Sequence, residues 1–431
     1  MSSTRQPVFS AFAVSRTGNR GAVSMLESAI DHLTAEPYCG IVNVFTVYPK
    51  RDRSIPQTPN VKLFSGTPAN LAFKLFPLCC LHRLVQALHL PVPRRIWGKE
   101  MAALLDTDVC LLIGGTTFTD EQVLKVIYNV ACALPALLLG TQAMMYSQTI
   151  GPFRNWFNRL CARFCLSRMA AIVPRGDGSL KQVHELGFTE AVSYADSAFT
   201  LKVSEQTKSR IRSKYAPLLK GKTVVGVSVN SIVERKCRKR SIDHNGIWAD
   251  FITYLHRKGY FVLLIPHSMR RGAKSRHNND LMTLGEILRR LPSRDALHVV
   301  DEPYDCKELR VVVGLADYYV ASRFHAMISA LCTKTPVFVM GWGLHKYLEV
   351  LGQFGLDAYG RDAPNDMCLD ALIQGFESVV READGIRQKM AAGLAAVRES
   401  SMHNHLTAAR LARQAMSDAE RHPINWPPPR R

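Results

Sequence analysis

The chain has 431 residues, 47% of them hydrophobic and 21% charged, which is enough to bury the cores of two ordinary domains and excludes a disordered or fibrous protein. Lys and Arg outnumber Asp and Glu by 55 to 36, and the formal charge of +19 implies an anionic partner: nucleic acid, an acidic membrane surface or a phosphorylated small molecule. The 11 cysteines lie mostly inside apolar runs, with neither the C-x-x-C pairs of a zinc site nor the framework of a small secreted domain, so reduced thiols in the cytosol are expected. The early apolar run from Pro7 to Val14 is too short for a secretory signal, and the apolar stretch 129–146 is broken by Pro135, Gly140 and Gln142. A cytoplasmic protein is expected, soluble or peripheral at the inner face of the membrane.

Val8–Val14 reads as a strand, followed by a loop with Gly18, Asn19 and Gly21 and an amphipathic helix from Ala22. This opens a Rossmann-like unit, although the glycine spacing is not the dinucleotide fingerprint. Residues 41–48 alternate as a second strand, and 49–60 is a polar loop. The segment 69–99 is apolar yet carries Lys74, His82, Arg83, Arg94, Arg95 and Lys99. Two readings stay open for it: helices packed on the sheet with a basic outer face, or an amphipathic surface meeting an anionic interface. Val109–Ile113 is a buried strand emptying into Gly114-Gly115 and a hydroxyl-rich loop that ends at Asp120, a usual place for substrate. A second strand and turn follow in LLLGTQAMMYSQTIGPF, with Gln148, Gly151 and Pro152 at the turn. Arg154–Met169 has helical period, the strand Ala170–Val173 delivers Arg175 and Asp177 into a loop, and Ser179 begins the next helix. Asp196 reads as structural.

Between Lys202 and Lys222 the chain becomes lysine-rich and polar, as suits a linker or bridging helix. The expected division is therefore an N-terminal domain over 1–205, a linker over 206–222, a second Rossmann-like domain over 223–400, and a C-terminal helix with a Pro-rich tail over 401–431. The second domain starts with the strand 223–230 and a basic loop, Glu234–Arg240. A helix and the strand Tyr260–Ile265 lead to Pro266-His267-Ser268, where His267 reads equally as a ligand or a hydrogen-bonded loop histidine. The most informative stretch is 315–346. Tyr318–Val320 is a strand, Ser322 a plausible N-cap, and Arg323 and His325 fall in the first helical turn. A helix N-terminus with a guanidinium beside it makes an anion site. A strand from Pro336 and the turn Gly341–Gly343 then lead to Lys346. No carboxylate pair, His/Asp cluster or Walker loop calls for a metal or cofactor.

These segments resemble the polysaccharide pyruvyl transferase family over about residues 8–356. SRFHAMISAL (with Ser322, Arg323, Phe324 and His325), its Pro-led strand and Lys346 are similar to the family's most diagnostic run. Gly114, Gly115 and Asp120 resemble its G-G-G-x-x-x-D, with Thr116 for the third glycine. Gln148, Gly151 and Pro152 resemble its Q-S-I-G-P-F, Arg175 and Ser179 its R-D-x-x-S, and His267 with Asp280 its strand-P-H and following Asp. Asn19 and Gly21 match G-x-x-N-x-G-D, whose acid is Ala22 here, and the residue after Arg175 is Gly176.

The resemblance implies an α/β fold of two facing Rossmann-like domains, GT-B-like, with mostly parallel sheets. It also implies transfer of a pyruvyl group from phosphoenolpyruvate, a donor substrate rather than a cofactor, to a sugar of a cell-surface polysaccharide or its lipid-linked precursor. On that reading the catalytic candidates are His325 as acid and Asp120 as base. Substrate contacts are expected from Arg323, Phe324, Arg175, Lys346, His267, Asn19, Gly21, Gly114, Gly115 and Gln148. A helix N-terminus and a neighbouring guanidinium depress the pKa of a histidine, and a bound trianion raises it, so His325 serves as proton donor or as hydrogen-bond donor. The alternatives are a nucleotide-sugar glycosyltransferase on the same architecture and an inactive relative. Nucleic acid is not expected, because the basic loops lack interleaved aromatics and no helix-turn-helix or zinc module is readable.

Overall fold

The computed structural model describes residues 5–56, 58–120, 123–270 and 278–421. The Pro-rich tail and most of the basic loop after Ser268 lie outside the described residues. The chain divides into two compact units: one holds residues 1–17, 25–200 and 400–431, the other 18–24 and 201–399. The first unit is thus not the continuous run expected, because its first glycine loop is claimed by the second unit.

In the first unit the strands are β1 (Val8–Val14), β2 (Ile41–Thr46), β3 (Val61–Ser65), β4 (Val109–Leu112), β5 (Thr116–Thr117), β6 (Gln142–Ile150) and β7 (Ala171–Pro174). They form one parallel sheet in the order β3-β2-β1-β4-β6-β5, with β7 also on β6. The strand order reverses between β1 and β4, where Phe12 stands opposite Leu112. The helices are α1 (Arg20–Leu33), α2 (Pro49–Asp52), α3 (Pro68–Asn70), α4 (Phe76–Ala87), α5 (Gly98–Leu105), α6 (Val123–Leu139), α7 (Trp156–Leu166) and α8 (Asp177–Glu185). Phe12, Leu112 and Met145 of the sheet pack with Leu75, Cys79, Val126, Ala133 and Cys165 of the covering helices in one buried core. Continuous burial on both faces explains why β4 reads as an unbroken apolar run rather than an alternating one.

The second unit repeats the plan with β8 (Val224–Ser228), β9 (Phe261–Leu264), β10 (Leu297–Val299), β11 (Tyr318–Ala321), β12 (Val337–Gly341) and β13 (Gly360–Asp362), all parallel in the order β10-β9-β8-β11-β12-β13. Its helices are α9 (Glu205–Leu219), α10 (Ser231–Arg238), α11 (His244–Arg257), α12 (Asp280–Arg290), α13 (Cys306–Val313), α14 (Phe324–Thr333), α15 (His345–Gly352), α16 (Ala363–Asp366), α17 (Leu369–Arg381) and α18 (Ala383–Arg421). The lysine-rich stretch read as a linker or bridging helix is mostly α9, anchored by buried Ile211 and Tyr215. The basic stretch read as a loop from Glu234 is α10, because Asn230 caps it by accepting the Ile232 N–H at 2.9 Å. Helix α18 begins in the second unit and ends in the first, where Ser401 donates to the Asp196 carbonyl at 2.8 Å and Asn404 to the Ala195 carbonyl at 2.9 Å.

Candidate functional site

The strand order of the second unit's parallel sheet reverses between β8 and β11, and the carboxyl ends of those strands are where an open α/β sheet receives a ligand. Strand β8 ends at Ser228 and leads to Asn230 and Ser231 at the start of α10. Strand β11 ends at Ala321 and leads to Ser322 and Arg323, immediately before α14. The expected cap is displaced by one residue: Arg323, with extended backbone, occupies the N-cap position, and the buried Ser322 hydroxyl has no hydrogen-bond partner among the described residues. The Ser322 carbonyl is instead held by the Asn230 amide at 3.0 Å and the Tyr347 hydroxyl at 3.2 Å. Sequence alone missed this pinning, since Asn230 comes from the cap of α10 and Tyr347 from α15.

Arg323 does not stand as an open clamp. Its Nε and Nη2 both donate to Asp280, the Nε at 3.1 Å, and Nη1 donates to the Asn278 side chain at 2.8 Å and Nη2 to Ser231 at 3.3 Å. Four bonds occupy a group with five N–H donors, and both partners of the ion pair are buried. Asp280 additionally accepts the backbone N–H groups of Ser231, His267 and Ser268 at 3.2, 3.3 and 2.9 Å. One carboxylate therefore ties together the ends of β8 and β9, the start of α12 and the cap of α14. The charge of Arg323 is largely spent on that carboxylate, and the α14 N-terminus keeps the positive end of its own dipole.

His267 is buried and its Nε2 shares a hydrogen bond of 3.1 Å with the Tyr319 hydroxyl. Burial, then the Arg323 charge, then His325 push its pKa down to about 3, so the ring is neutral at working pH. Tyr319 is likewise kept protonated by burial. Its ring lies so close to β8 that a Cβ on Gly226 would fall 2.4 Å from it, so glycine is required there. His267 thus acts here as a buried packing and hydrogen-bonding group, in place of the direct substrate contact the sequence allowed.

His325 is half-buried in the first turn of α14, edge-on to Phe324. Phe324 is buried and packs against Tyr347. The loop of Asn19 and Gly21 belongs to this same unit: Asn19 forms an antiparallel bridge with Ser268, and the Arg20 N–H donates to the His267 carbonyl at 2.9 Å. Gly21 lies against the His325 ring, and a Cβ there would stand 2.4 Å from Nδ1. The glycine serves close approach to a histidine some three hundred residues away, a requirement no local pattern reveals. Lys346, in the first turn of α15, lies 4.9 Å from the Trp342 ring centre, and Lys236 of α10 lies 3.6 Å from the same ring.

The first unit gathers its candidates differently. Gly114 and Gly115 follow β4 at the strand-order reversal, and Gly115 has φ of 71°. Gln148 is wholly buried with its amide taken, Nε2 donating to the Leu112 carbonyl and Oε1 accepting from Thr117, so it braces β4 against β5 and β6 and does not present itself to a substrate. Arg175 forms a buried ion pair with Asp196 and donates from Nε to Thr149 at 3.0 Å. Asp196 also accepts the Ala198 N–H at 2.8 Å, in keeping with its structural reading. Asp120, expected as a base, caps the start of α7 by accepting the Arg154 and Asn155 N–H groups at 2.6 and 3.2 Å and the Asn158 amide at 2.9 Å. Among the described residues, no group of three or more His, Cys, Asp or Glu is placed to hold a metal ion.

Two parallel-sheet α/β domains, each with its polar cluster at the strand ends, define the class: a GT-B-like protein with two Rossmann-like units. Solved structures of that fold are similar over nearly the whole chain. A putative UDP-N-acetylglucosamine 2-epimerase from Listeria monocytogenes matches with TM-score 0.58 and 12% identity, covering 97% of this chain and 98% of its own. UDP-GlcNAc 2-epimerase from Neisseria meningitidis matches with TM-score 0.58 and 8% identity over 96% and 100%. An α,α-trehalose 6-phosphate synthase from Burkholderia multivorans matches with TM-score 0.55 and 10% identity over 97% and 100%. No curated protein sequence matches. The sequence model of the polysaccharide pyruvyl transferases matches residues 19–343, and the chain belongs to that family of transferases. The matched stretch opens at the Asn19 loop and closes just before Lys346.

Proposed function

We propose that the protein transfers the pyruvyl group of phosphoenolpyruvate to two hydroxyls of a saccharide, a cell-surface polysaccharide or its lipid-linked precursor, forming a cyclic ketal on the cytoplasmic side of the membrane. The observation that carries this reading is the α14 N-terminus. Arg323 is fixed there by Asp280, His325 is held against Gly21, and no acidic residue lies in the first turn. Such a turn offers backbone N–H groups and a positive dipole end to a phosphate or carboxylate, with Lys346 adding charge from α15.

The chemistry asked of these residues is limited. His325 donates a proton to the methylene carbon, which becomes the methyl group, and leaves an oxocarbenium-like centre at the neighbouring carbon. One sugar hydroxyl attacks that centre, the C–O bond to phosphate breaks, and the second hydroxyl closes the ring. Of the two hydroxyl protons released, one restores His325 and the other leaves on inorganic phosphate. The neutral His267 and Tyr319 sit beneath this constellation as a rigid floor. Phe324 is proposed to shape the site, and Asn19 to hold the loop that bounds His325.

A nucleotide-sugar transferase is the second reading, favoured by structural neighbours solved with UDP and with UDP-GlcNAc. The test is to incubate the protein with phosphoenolpyruvate and a panel of saccharide acceptors. Acceptor-dependent phosphate release, with acid-labile pyruvate on the product, is expected. Release of a nucleoside diphosphate from a nucleotide-sugar, with phosphoenolpyruvate untouched, would replace this reading with the second.

A further inference from the structure

Three neighbouring helices of the first unit bury one face in its core and present a second apolar face to solvent. Helix α4 packs against α6, and α6 against α7. On α4, Phe76, Cys80, Leu81 and Leu84 are exposed within an arc of about 140° at ~100° per residue. Cys79 on the opposite side is buried. Phe73, in the π-helical turn just before α4, is 85% exposed. On α6, Leu124 is 83% exposed and Ile127 also faces solvent. On α7, Trp156 is 74% exposed, with Leu160 and Phe164 one and two turns later. Scattered exposed apolar residues need no explanation, but nine large ones gathered on three helices packed side by side do.

The charge around this face decides what covers it. From Arg53 to Lys99 and from Val123 to Gly176 the sequence contains no Asp or Glu. The exposed Arg159 and Arg163 fall between Trp156, Leu160 and Phe164 on the same side of α7, and Arg154, Arg95 and Lys99 are exposed close by in sequence. An isologous dimer through this face would set these cations against their own copies. A bilayer with anionic headgroups satisfies both features: the apolar side chains enter the headgroup–acyl boundary, Trp156 takes the interfacial position favoured by its ring, and the arginines meet lipid phosphates. Among the described residues no helix is long and apolar enough to cross a membrane, so the contact is parallel to the surface.

We infer that the face built by α4, α6 and α7 docks the protein on an anionic lipid bilayer. The inference deepens the proposed membrane-side location but does not depend on the donor, since docking needs no turnover. The test is co-sedimentation of the full chain with vesicles of phosphatidylcholine alone and of phosphatidylcholine mixed with phosphatidylglycerol. Wild type, Leu124→Ser/Trp156→Ser and Arg159→Gln/Arg163→Gln are compared, with size and melting temperature measured for each. Binding to the mixed vesicles only is expected. It should fall at least about tenfold in the apolar double variant and about fivefold per arginine removed, with unchanged melting temperatures. No binding to the mixed vesicles, or binding that the substitutions leave untouched, would overturn the inference. So would a wild-type dimer that the apolar substitutions convert to monomer, which would make the face a subunit contact.

Discussion

Each unit has a buried arginine at the carboxyl end of a parallel strand, just before a helix, and each arginine is paired with a buried aspartate: Arg175 with Asp196, Arg323 with Asp280. The pairs differ in what surrounds them. Asp196 serves its own local turn, whereas Asp280 gathers backbone N–H groups from the ends of two other strands. The helices that follow differ more. The first turn of α8 already carries Asp177, which meets the positive end of that helix with the chain's own carboxylate. The first turn of α14 carries no acid and holds His325 instead. The same arginine-before-helix pattern thus leads into an acid-bearing first turn in one unit and an acid-free one, the proposed anion site, in the other.

The largest expected effect is one the two pairs share. Arg323→Ala and Arg175→Ala each leave a buried carboxylate unpaired and should cost about 3–5 kcal/mol, read by denaturant unfolding. A cost under about 1 kcal/mol in either would show that the pair is open to water. Loss of ligand binding in Arg323→Ala is therefore poor proof of contact. His325→Gln separates the units more cleanly: ketal formation should fall by about 10²–10⁴ with little change in melting temperature. An active His325→Gln enzyme would remove this histidine from proton transfer.

Gly21→Ala should destabilise by about 1–3 kcal/mol and lower activity together with His325→Gln in a non-additive way, because the new methyl group must displace the ring. Additive effects would place Gly21 outside the site. The smallest effect is in pH dependence. His267 has its pKa lowered to about 3 in the folded protein, so between that value and about 6.5 only the unfolded chain takes up the proton. Stability is full above about pH 6.5 and falls as pH drops, by about 2 kcal/mol from pH 7 to pH 5 for this group. His267→Gln should remove that part of the slope, and an unchanged slope would assign it to other groups.

Much of the fold was legible because parallel strands buried on both faces leave continuous apolar runs: β1, β4, β8, β11 and β12 stand where those runs fall. Short edge strands β3 and β13 were not, since five and three residues, only partly buried and interrupted by the exposed Lys62 and Arg361, carry no such run. Helix α6 was hidden by Pro135, which sits inside it as a buried residue. For the site, the sequence displayed the cations but not their counter-ions: Asp280 lies 43 positions from Arg323 and Asp196 21 from Arg175. Asp120 and Gln148 stand at strand ends as substrate residues would, yet their hydrogen bonds are spent on a helix start and on a strand brace.

The α14 N-terminus is proposed to receive phosphoenolpyruvate. Calorimetric titration of phosphoenolpyruvate into wild type and Lys346→Gln, with a uridine diphosphate hexose titrated in parallel, addresses it most directly. Micromolar to millimolar binding of phosphoenolpyruvate, weakened about tenfold or more in the lysine variant, is the predicted result. Heat from the nucleotide-sugar alone, with none from phosphoenolpyruvate, would contradict it.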